Sequence, residues 1–523
     1  MSDTFRLTMA QLDATLGDLS GNAAKARTAW EAARAAGADM VALPEMFLTG
    51  HPPQGLVRDP GFVARAGRVL DDLIAACADG PALGIGVPRW PTGAPYAFNA
   101  WVVAERGRIV AEVRKHHLTR EGGLDETRDF GAGDVSGPYA IGPVRLGTAI
   151  GTDARFDDVA ETLAETGAEI LLVPDGAPYG RGARDDRWGH MVARVVETGL
   201  PLVWLNLVGG QDDLVFDGAS FALNPGGRLA RHLPSFAEAV VHLDFDRTAD
   251  GWRARDGDRA PQPEGPEADY RAMVAGLRDH MAKTGATTAW LGLSGDVGSA
   301  LVAAVAADAI GPANLRCVAP APDDAAPAAR EEGRAVAELL GCRLDTLTLG
   351  DSHAAAVVAL APLQPGGLSD VAGAALRSRL RGLMLATLSE ASGAMLLVSA
   401  GQPAIPGGTA NVYAPAIDLD VSERRALCRW RNANHVEGFL GPAGEVVPAR
   451  LLDPSTEQRP DGAEAAARSA DPDRDILEYG RSLAGTGATG PGRIPGPRLA
   501  RRPPGLDRHD PILHRWHETT GEV

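Results

Sequence analysis

Short apolar runs alternate with Ala-rich amphipathic stretches through the first half of the chain. FRLTMAQL (5–12) and ADMVALPE (38–45) have the apolar density of buried strands, and AAKARTAWEAARAAG between them predicts a helix. PALGIGVP (81–88), NAWVVAE (99–105), RLGTAIG (145–151), AEILLVP (168–174) and LPLVWLN (200–206) continue the strand series. VFDGASFALNPGGRLARHL (215–233) predicts a hairpin turning at Asn-Pro-Gly-Gly. This alternation predicts an α/β sandwich. The chain then becomes polar and Pro-rich (DRTADGWRARDGDRAPQPEGPE), as expected of a linker. Beyond it the pattern predicts a helix over 270–284, a strand over 289–293, a Gly-rich turn, a helix over 299–309 and a strand over 315–318. A β-α-β opening of this kind predicts a parallel, doubly wound sheet. The expected organisation is a first domain over 1–246, a linker over 247–268, a second domain over 269–461 and a Gly/Pro-rich tail over 462–523.

Composition narrows the function classes. A chain of 523 residues exceeds what one core normally organises, and 45% hydrophobic content is that of a folded globular protein. A formal net charge of −17 argues against nucleic acid or anionic membrane as a main partner. Cys77, Cys317, Cys342 and Cys428 show no metal or disulfide spacing, which fits a reducing compartment. The N-terminus has no long apolar segment and no run of about 18 apolar residues follows, so a cytoplasmic protein is expected. Lysine occurs only at Lys25, Lys115 and Lys283, which makes each retained Lys more informative.

ALPEMFLTGHPP places Glu45 at the C-terminal end of a strand, where α/β sites collect, and RKHHL places Lys115 at the end of another run. Position alone leaves a surface pair and a site pair equally open. Together with GDLSGNAAKA before and VGGQDDLVFDG (208–218) after, however, these stretches resemble the nitrilase-type amidase domain of glutamine-dependent NAD synthetases. The resemblance implies an αββα sandwich in which Glu45 is the general base, Lys115 stabilises the oxyanion and a Cys attacks the glutamine amide. That division of labour is sound acyl-transfer chemistry, because a thiol needs a proton acceptor and a tetrahedral oxyanion needs a cation. The family's I-C-E-D-x-W-F stretch falls on IGTDARF (150–156), so Gly151 stands at the nucleophile position, Thr152 at the Glu and Arg155 at the Trp. Cys77 lies in DDLIAACADG at helix-core spacing, and Thr152, one residue along a strand, is expected on the opposite face. The family's glutamine-pocket Tyr falls on Glu121.

The second half carries the same resemblance. LGLSGDVGSALV (291–302) is similar to the family's S-G-G-x-D-S pyrophosphate loop within a Rossmann-like adenine-nucleotide fold; Ser294, Gly295 and Ser299 match. Asp296 and Gly298 have in effect exchanged places, which puts a carboxylate where backbone amides should approach phosphate. Each like-charge pair at a few Å costs roughly 3–4 kcal/mol at an effective dielectric near 20. The stretch 379–415 aligns with the family's R-I-R-G to Y-G-D region: Arg379 is kept, the Lys of K-S-E falls on Gln402, its metal-binding Glu on Ala404 and the closing Asp on Pro415. The E-N-x-Q-(A/S)-R motif falls on residues 374–379, where its Glu, Asn and Gln are missing. The resemblance implies ATP and Mg²⁺ as cofactors, yet magnesium wants hard oxygen ligands, and the family's ligand positions are here Gly298 and Ala404.

Three functions follow as expectations. The first is a non-catalytic family member that binds a small ligand (deamido-NAD, ATP or a glutamine-like molecule), or serves as a subunit of a homo-oligomer or of a mixed oligomer with an active homologue. The second is an active NAD synthetase fed by free ammonia. The third is a repurposed amidohydrolase or nucleotide-binding module.

Overall fold

The computed structural model describes residues 4–120, 125–321, 327–399 and 411–453. These fall into two compact units, the first ending at Pro263 and the second beginning at Glu264.

Two sheets face each other in the first unit. The seven-stranded sheet runs in the spatial order Gly251–Ala254, Ala239–Thr248, Thr4–Gln11, Met40–Ala42, Ala82–Arg89, Phe98–Glu105, Arg108–Arg114. The six-stranded sheet runs Arg228–His232, Phe221–Asn224, Leu202–Asn206, Ile170–Asp175, Val144–Thr148, Tyr139–Ile141. Strands at the centre of each sheet are parallel and the outer pairings are antiparallel.

Strand periodicity assigns each side chain a layer. Phe5, Leu7 and Met9 of one sheet meet Ile170, Leu172, Val203 and Leu205 of the other in a core between the sheets. The alternate positions Leu171, Val173, Leu202 and Trp204 point outward beneath the helices Asp157–Glu165 and Ala183–Thr198. Leu83, Ile85 and Val87 do the same beneath Leu19–Ala35 and Pro60–Ala76. Both faces of the central strands are covered, which is why they read as nearly continuous apolar runs. The expected αββα sandwich is present.

Two local expectations need correction. The segment 247–254 is not linker: Ala239–Thr248 and Gly251–Ala254 form an antiparallel pair at the edge of the larger sheet. Leu243, Phe245, Trp252 and Ala254 turn into the intersheet core, while Arg255 pairs with Asp246 at 2.6 Å and Arg6 with Asp244 at 2.6 Å on the open face. The polar composition is the solvated side of an edge pair. The next helix, Gly265–Thr284, opens inside the expected linker, with Pro266 in its first turn. The hairpin over 215–233 is in fact two pairings: Val208–Gln211 with Leu214–Asp217, and Phe221–Asn224 with Arg228–His232 around the expected Asn-Pro-Gly-Gly turn.

The second unit holds a five-stranded, all-parallel sheet in the order Arg343–Leu347, Leu315–Pro320, Ala289–Gly292, Met395–Leu397, Val412–Tyr413. Chain order reverses between Ala289–Gly292 and Met395–Leu397, so the Gly-rich turn leaves the sheet at its topological switch point, as a doubly wound fold requires. The helix that follows, Val297–Ile310, is buried on all sides, which matches its apolar sequence all round. Arg431 and Asp308 form a fully buried ion pair at 2.6 Å, Tyr270 Oη donates to Asp308 at 2.7 Å, and the three residues tie together the helices Gly265–Thr284, Val297–Ile310 and Val421–Ala433. Among the described residues, no helix is long and apolar enough to cross a membrane.

Candidate active site and nucleotide loop

Glu45, Lys115 and Gly151 each lie just beyond the C-terminal end of a strand, those ending at Ala42, Arg114 and Thr148. The structure brings the three together. Lys115 Nζ is 2.7 Å from Glu45 Oε1, and a Cβ built on Gly151 would stand 2.7 Å from Glu45 Oε2 and 3.2 Å from Lys115 Nζ. Strand Val144–Thr148 runs into a 3-10 turn over Gly151–Arg155, and Gly151 takes φ +50° at the head of that turn. This is the sharp strand-to-helix geometry that presents a nucleophile in elbow motifs, occupied by a residue with no side chain.

The 3-10 turn also corrects the reading of Thr152. Strand alternation does not apply there; instead its hydroxyl donates to the His117 carbonyl at 2.5 Å. Cys77 caps the end of helix Pro60–Ala76 within the outer helical core, and burial pushes its thiol up to about 11. Glu121 lies outside the described residues.

Five further groups complete the cluster, none of them singled out by the sequence. Glu126 accepts from Lys115 at 2.8 Å and from the Thr119 amide at 2.9 Å. Asn99 donates to both carboxylates, at 2.6 Å to Glu45 and 3.0 Å to Glu126. Asp175, held by Trp204 Nε1 at 2.9 Å, places Oδ1 3.2 Å from the built Cβ of residue 151. The Gly176 amide donates to Glu45 at 3.1 Å and to Asp175 at 2.8 Å. His51 packs so closely on Gly176 that a Cβ there would come within 2.6 Å of its ring.

Burial and charge set the protonation states. Burial first, then the negative charges of Glu126 and Asp175, push the Glu45 carboxyl up to about 7 against the pull of Lys115. Burial opposes ionisation of Glu126 too, but its charge and hydrogen bonds with Lys115 outweigh that and leave it below the usual range. Lys115 stays charged, since its two carboxylates overcome the cost of burial. Burial lowers His51 to about 4, so its ring is neutral. Glu45 is thus a proton acceptor tuned near neutrality, and Lys115 is a fixed cation beside it.

The Gly-rich turn of the second unit engages its own donors. Asp296 is the N-cap of helix Val297–Ile310 and accepts the Ser299 amide at 2.9 Å. Ser294 Oγ donates to the other oxygen of the same carboxylate and stands 3.2 Å from Ser299 Oγ. Ser299 Oγ donates to the Asp296 carbonyl at 3.1 Å. Gly295 takes φ +79°, and any Cβ there would overlap the Ala329 carbonyl. Arg424 reaches the same corner, with Nη1 3.3 Å from a Cβ built on Gly298. Arg379 lies exposed on helix Asp370–Ser392, and among the described residues no hydrogen bond joins it to the loop. Pro415 is buried just after strand Val412–Tyr413, while Gln402 and Ala404 lie outside the described residues.

The two units therefore define a carbon-nitrogen hydrolase fold followed by an NAD synthase fold, and comparison with known proteins agrees. The carbon-nitrogen hydrolase family matches residues 6–254 and the NAD synthase family residues 269–405. A glutamine-dependent NAD(+) synthetase of Rhodobacter capsulatus is 43% identical, covering 99% of this chain and all of that one. One from Xanthomonas campestris pv. campestris is 32% identical over 98% of each chain. The solved glutamine-dependent NAD+ synthetase of Acinetobacter baumannii, in complex with adenosine diphosphate, superposes with a TM-score of 0.80 over 98% of this chain and 99% of that one; at 23% identity it speaks for the fold. The chain belongs to the glutamine-dependent NAD(+) synthetase family.

Proposed function

We propose that this chain is a family member that hydrolyses no glutamine and makes no NAD, and that it works as a ligand-binding or assembly subunit. The observation that carries the reading is Gly151. Glu45, Lys115 and Asp175 converge within 3.2 Å of a Cβ that the residue does not have. The base has no thiol to deprotonate, and the one hydroxyl in the turn, Thr152, is hydrogen-bonded away to His117. Asn99 Oδ1 and His51 Nδ1 remain buried without hydrogen-bond partners, as polar contacts for a small amide or carboxylate that is held but not cut.

The loop supports the second half of the reading. Asp296 takes the helix N-terminal amide and the Ser294 hydroxyl, the donors a phosphate would need, so the described loop residues do not fit ATP. At Gly298 there is no carboxylate for Mg²⁺. An intact fold with emptied sites suits a subunit that joins copies of itself or of an active homologue.

The test is an assay of the purified chain with deamido-NAD, ATP and Mg²⁺, given either glutamine or ammonia. The expected result is no NAD from either nitrogen source and no glutamate from glutamine. NAD formed from ammonia would establish an active ligase instead, adenylating the deamido-NAD carboxylate and releasing AMP as ammonia attacks. Glutamate released from glutamine would overturn the reading of Gly151.

A further inference from the structure

Immediately after Lys115, the chain places two histidines on the outer side of the turn that carries Gly151. Asp153 accepts the amides of His116 at 3.0 Å, His117 at 2.6 Å and Ile150 at 3.2 Å, and Thr152 holds the His117 carbonyl. The backbone of both histidines is therefore fixed to the 3-10 turn. Asp158, in the first turn of helix Asp157–Glu165, faces them. One ligating atom from each of His116, His117 and Asp158 lies within 4.8 Å of the others.

The ring geometry suits metal binding better than a plain surface ion pair. His116 Nδ1 is 2.7 Å from the Gly133 carbonyl, which can only accept, so Nδ1 carries the proton and Nε2 presents its lone pair. An imidazole oriented by a carbonyl on its far nitrogen is the usual second-sphere arrangement of a metal-bound histidine. His117 lies between the His116 ring, edge-on at 4.6 Å, and the Phe156 ring at 4.1 Å, which restricts its rotation. Its Nε2 meets both oxygens of Asp158, at 2.8 and 2.9 Å.

We propose that His116, His117 and Asp158 form a binding site for a divalent transition metal, with Zn²⁺, Co²⁺ or Ni²⁺ as the fitting class. Two imidazoles and one carboxylate are borderline ligands that favour these ions over Mg²⁺ or Ca²⁺, which take all-oxygen sets. Metal–ligand distances of about 2.0–2.2 Å in a tetrahedral site separate neighbouring ligand atoms by about 3.3 Å. The His117–Asp158 contact must therefore open by about half an ångström, which the half-exposed Asp158 side chain (51%) can supply. On binding, the proton on His117 Nε2 moves by way of solvent to Nδ1, so the ring stays neutral and the freed Nε2 pair goes to the ion. Three protein ligands leave a fourth position for water. The ion would clip the segment after Lys115 to helix Asp157–Glu165 and so brace the turn that carries residue 151.

The test uses the full chain, stripped with EDTA and desalted, with the metal alone as probe. Co²⁺ titration followed by visible absorption, with Zn²⁺ in competition, should show saturable binding of about one equivalent. Asp158→Asn, which keeps the side-chain shape, and His116→Ala should each weaken it by at least about tenfold, given that loss of outer-sphere partners alone costs 10–100-fold. Saturating Zn²⁺ should raise the melting temperature of the parent chain and leave that of the Asp158→Asn, His116→Ala double variant unchanged. Far-UV circular dichroism establishes that each variant is folded. Absence of saturable binding by the parent chain, or equal affinity in the folded variants, would overturn the site.

Discussion

At position 151 the proposed lack of glutamine hydrolysis turns on a single side chain. A cysteine there must accept φ +50°, which costs a non-glycine residue about 1–2 kcal/mol, and Glu45 Oε2 must give way from 2.7 Å. Both adjustments are local, so Gly151→Cys should fold. Beside Lys115 and a carboxylate that titrates near 7, its thiol should react with iodoacetamide well ahead of Cys77, whose thiol is pushed up to about 11. Peptide mass spectrometry after brief alkylation distinguishes the two, and preferential labelling of Cys77 would count against the geometry. Glu45 also leaves a mark on stability. Its folded carboxyl holds a proton up to about pH 7 that the unfolded chain releases near 4.5, so its contribution falls as pH rises through that window. His51, lowered to about 4, acts in the opposite direction between about pH 4 and 6.5. Replacing Glu45 by Gln removes only the first effect. The melting temperature of the variant minus that of the parent should therefore increase from pH 4.5 to 7, and a flat difference would refute the buried-carboxyl account. Glu45, Lys115 and Gly151 are legible through the family resemblance of the short motifs that carry them, since strand-end position alone leaves Glu45 and Lys115 open. Asn99, Glu126 and Asp175 were not, since Asn99 lies within a strand pattern and only folding brings Gly176, beside Asp175, to Glu45 across 131 residues of chain.

Among the elements, helix Val297–Ile310 shows how one residue can serve structure at the expense of a ligand. In the sequence Asp296 reads as a charge intruding on a phosphate loop; in the fold it is a helix cap. Asp296→Ala should cost about 1 kcal/mol by the usual value of such caps, and Asp296→Gly only a few tenths, both read from denaturant midpoints. The same helix carries Asp308, whose fully buried pairing with Arg431 gives that arginine a structural role. Removing one partner strands the other charge, so Asp308→Ala should destabilise by about 3–5 kcal/mol. A loss under 1 kcal/mol would mean that the pair is solvated. Most elements were readable from periodicity; the exceptions have specific causes. Charged residues on the open face of the edge strands Ala239–Thr248 and Gly251–Ala254 hid their apolar alternation. The apparent strand over 145–151 ends at Thr148 and gives way at Gly151 to a 3-10 turn that no apolar periodicity announces.

For the whole molecule, two units with separate sheets carry the two candidate sites, the Glu45 cluster in the first and the Gly-rich loop in the second. On the proposed reading the two sites depart from the family pattern independently, so repairing one should not revive the overall reaction. Gly151→Cys should convert glutamine to glutamate while forming no NAD, because Asp296 still caps the loop and Gly298 still offers no carboxylate. Adding Glu45→Gln to that variant should lower the regained hydrolysis by about 10²–10⁴-fold, the usual worth of a positioned general base. Exchanging the loop residues (Asp296→Gly with Gly298→Asp) frees the Ser299 amide and should let the chain bind ATP in calorimetry. Turnover should still be missing, since on the proposed reading Gln402 and Ala404 stand where the family resemblance expects Lys and Glu. The decisive measurement follows glutamate, AMP and NAD together in the chain carrying all three substitutions. Glutamate without AMP or NAD is the expected outcome. Stoichiometric NAD would show that the loop exchange alone had silenced the second site, and that residues 402 and 404 are dispensable for its chemistry.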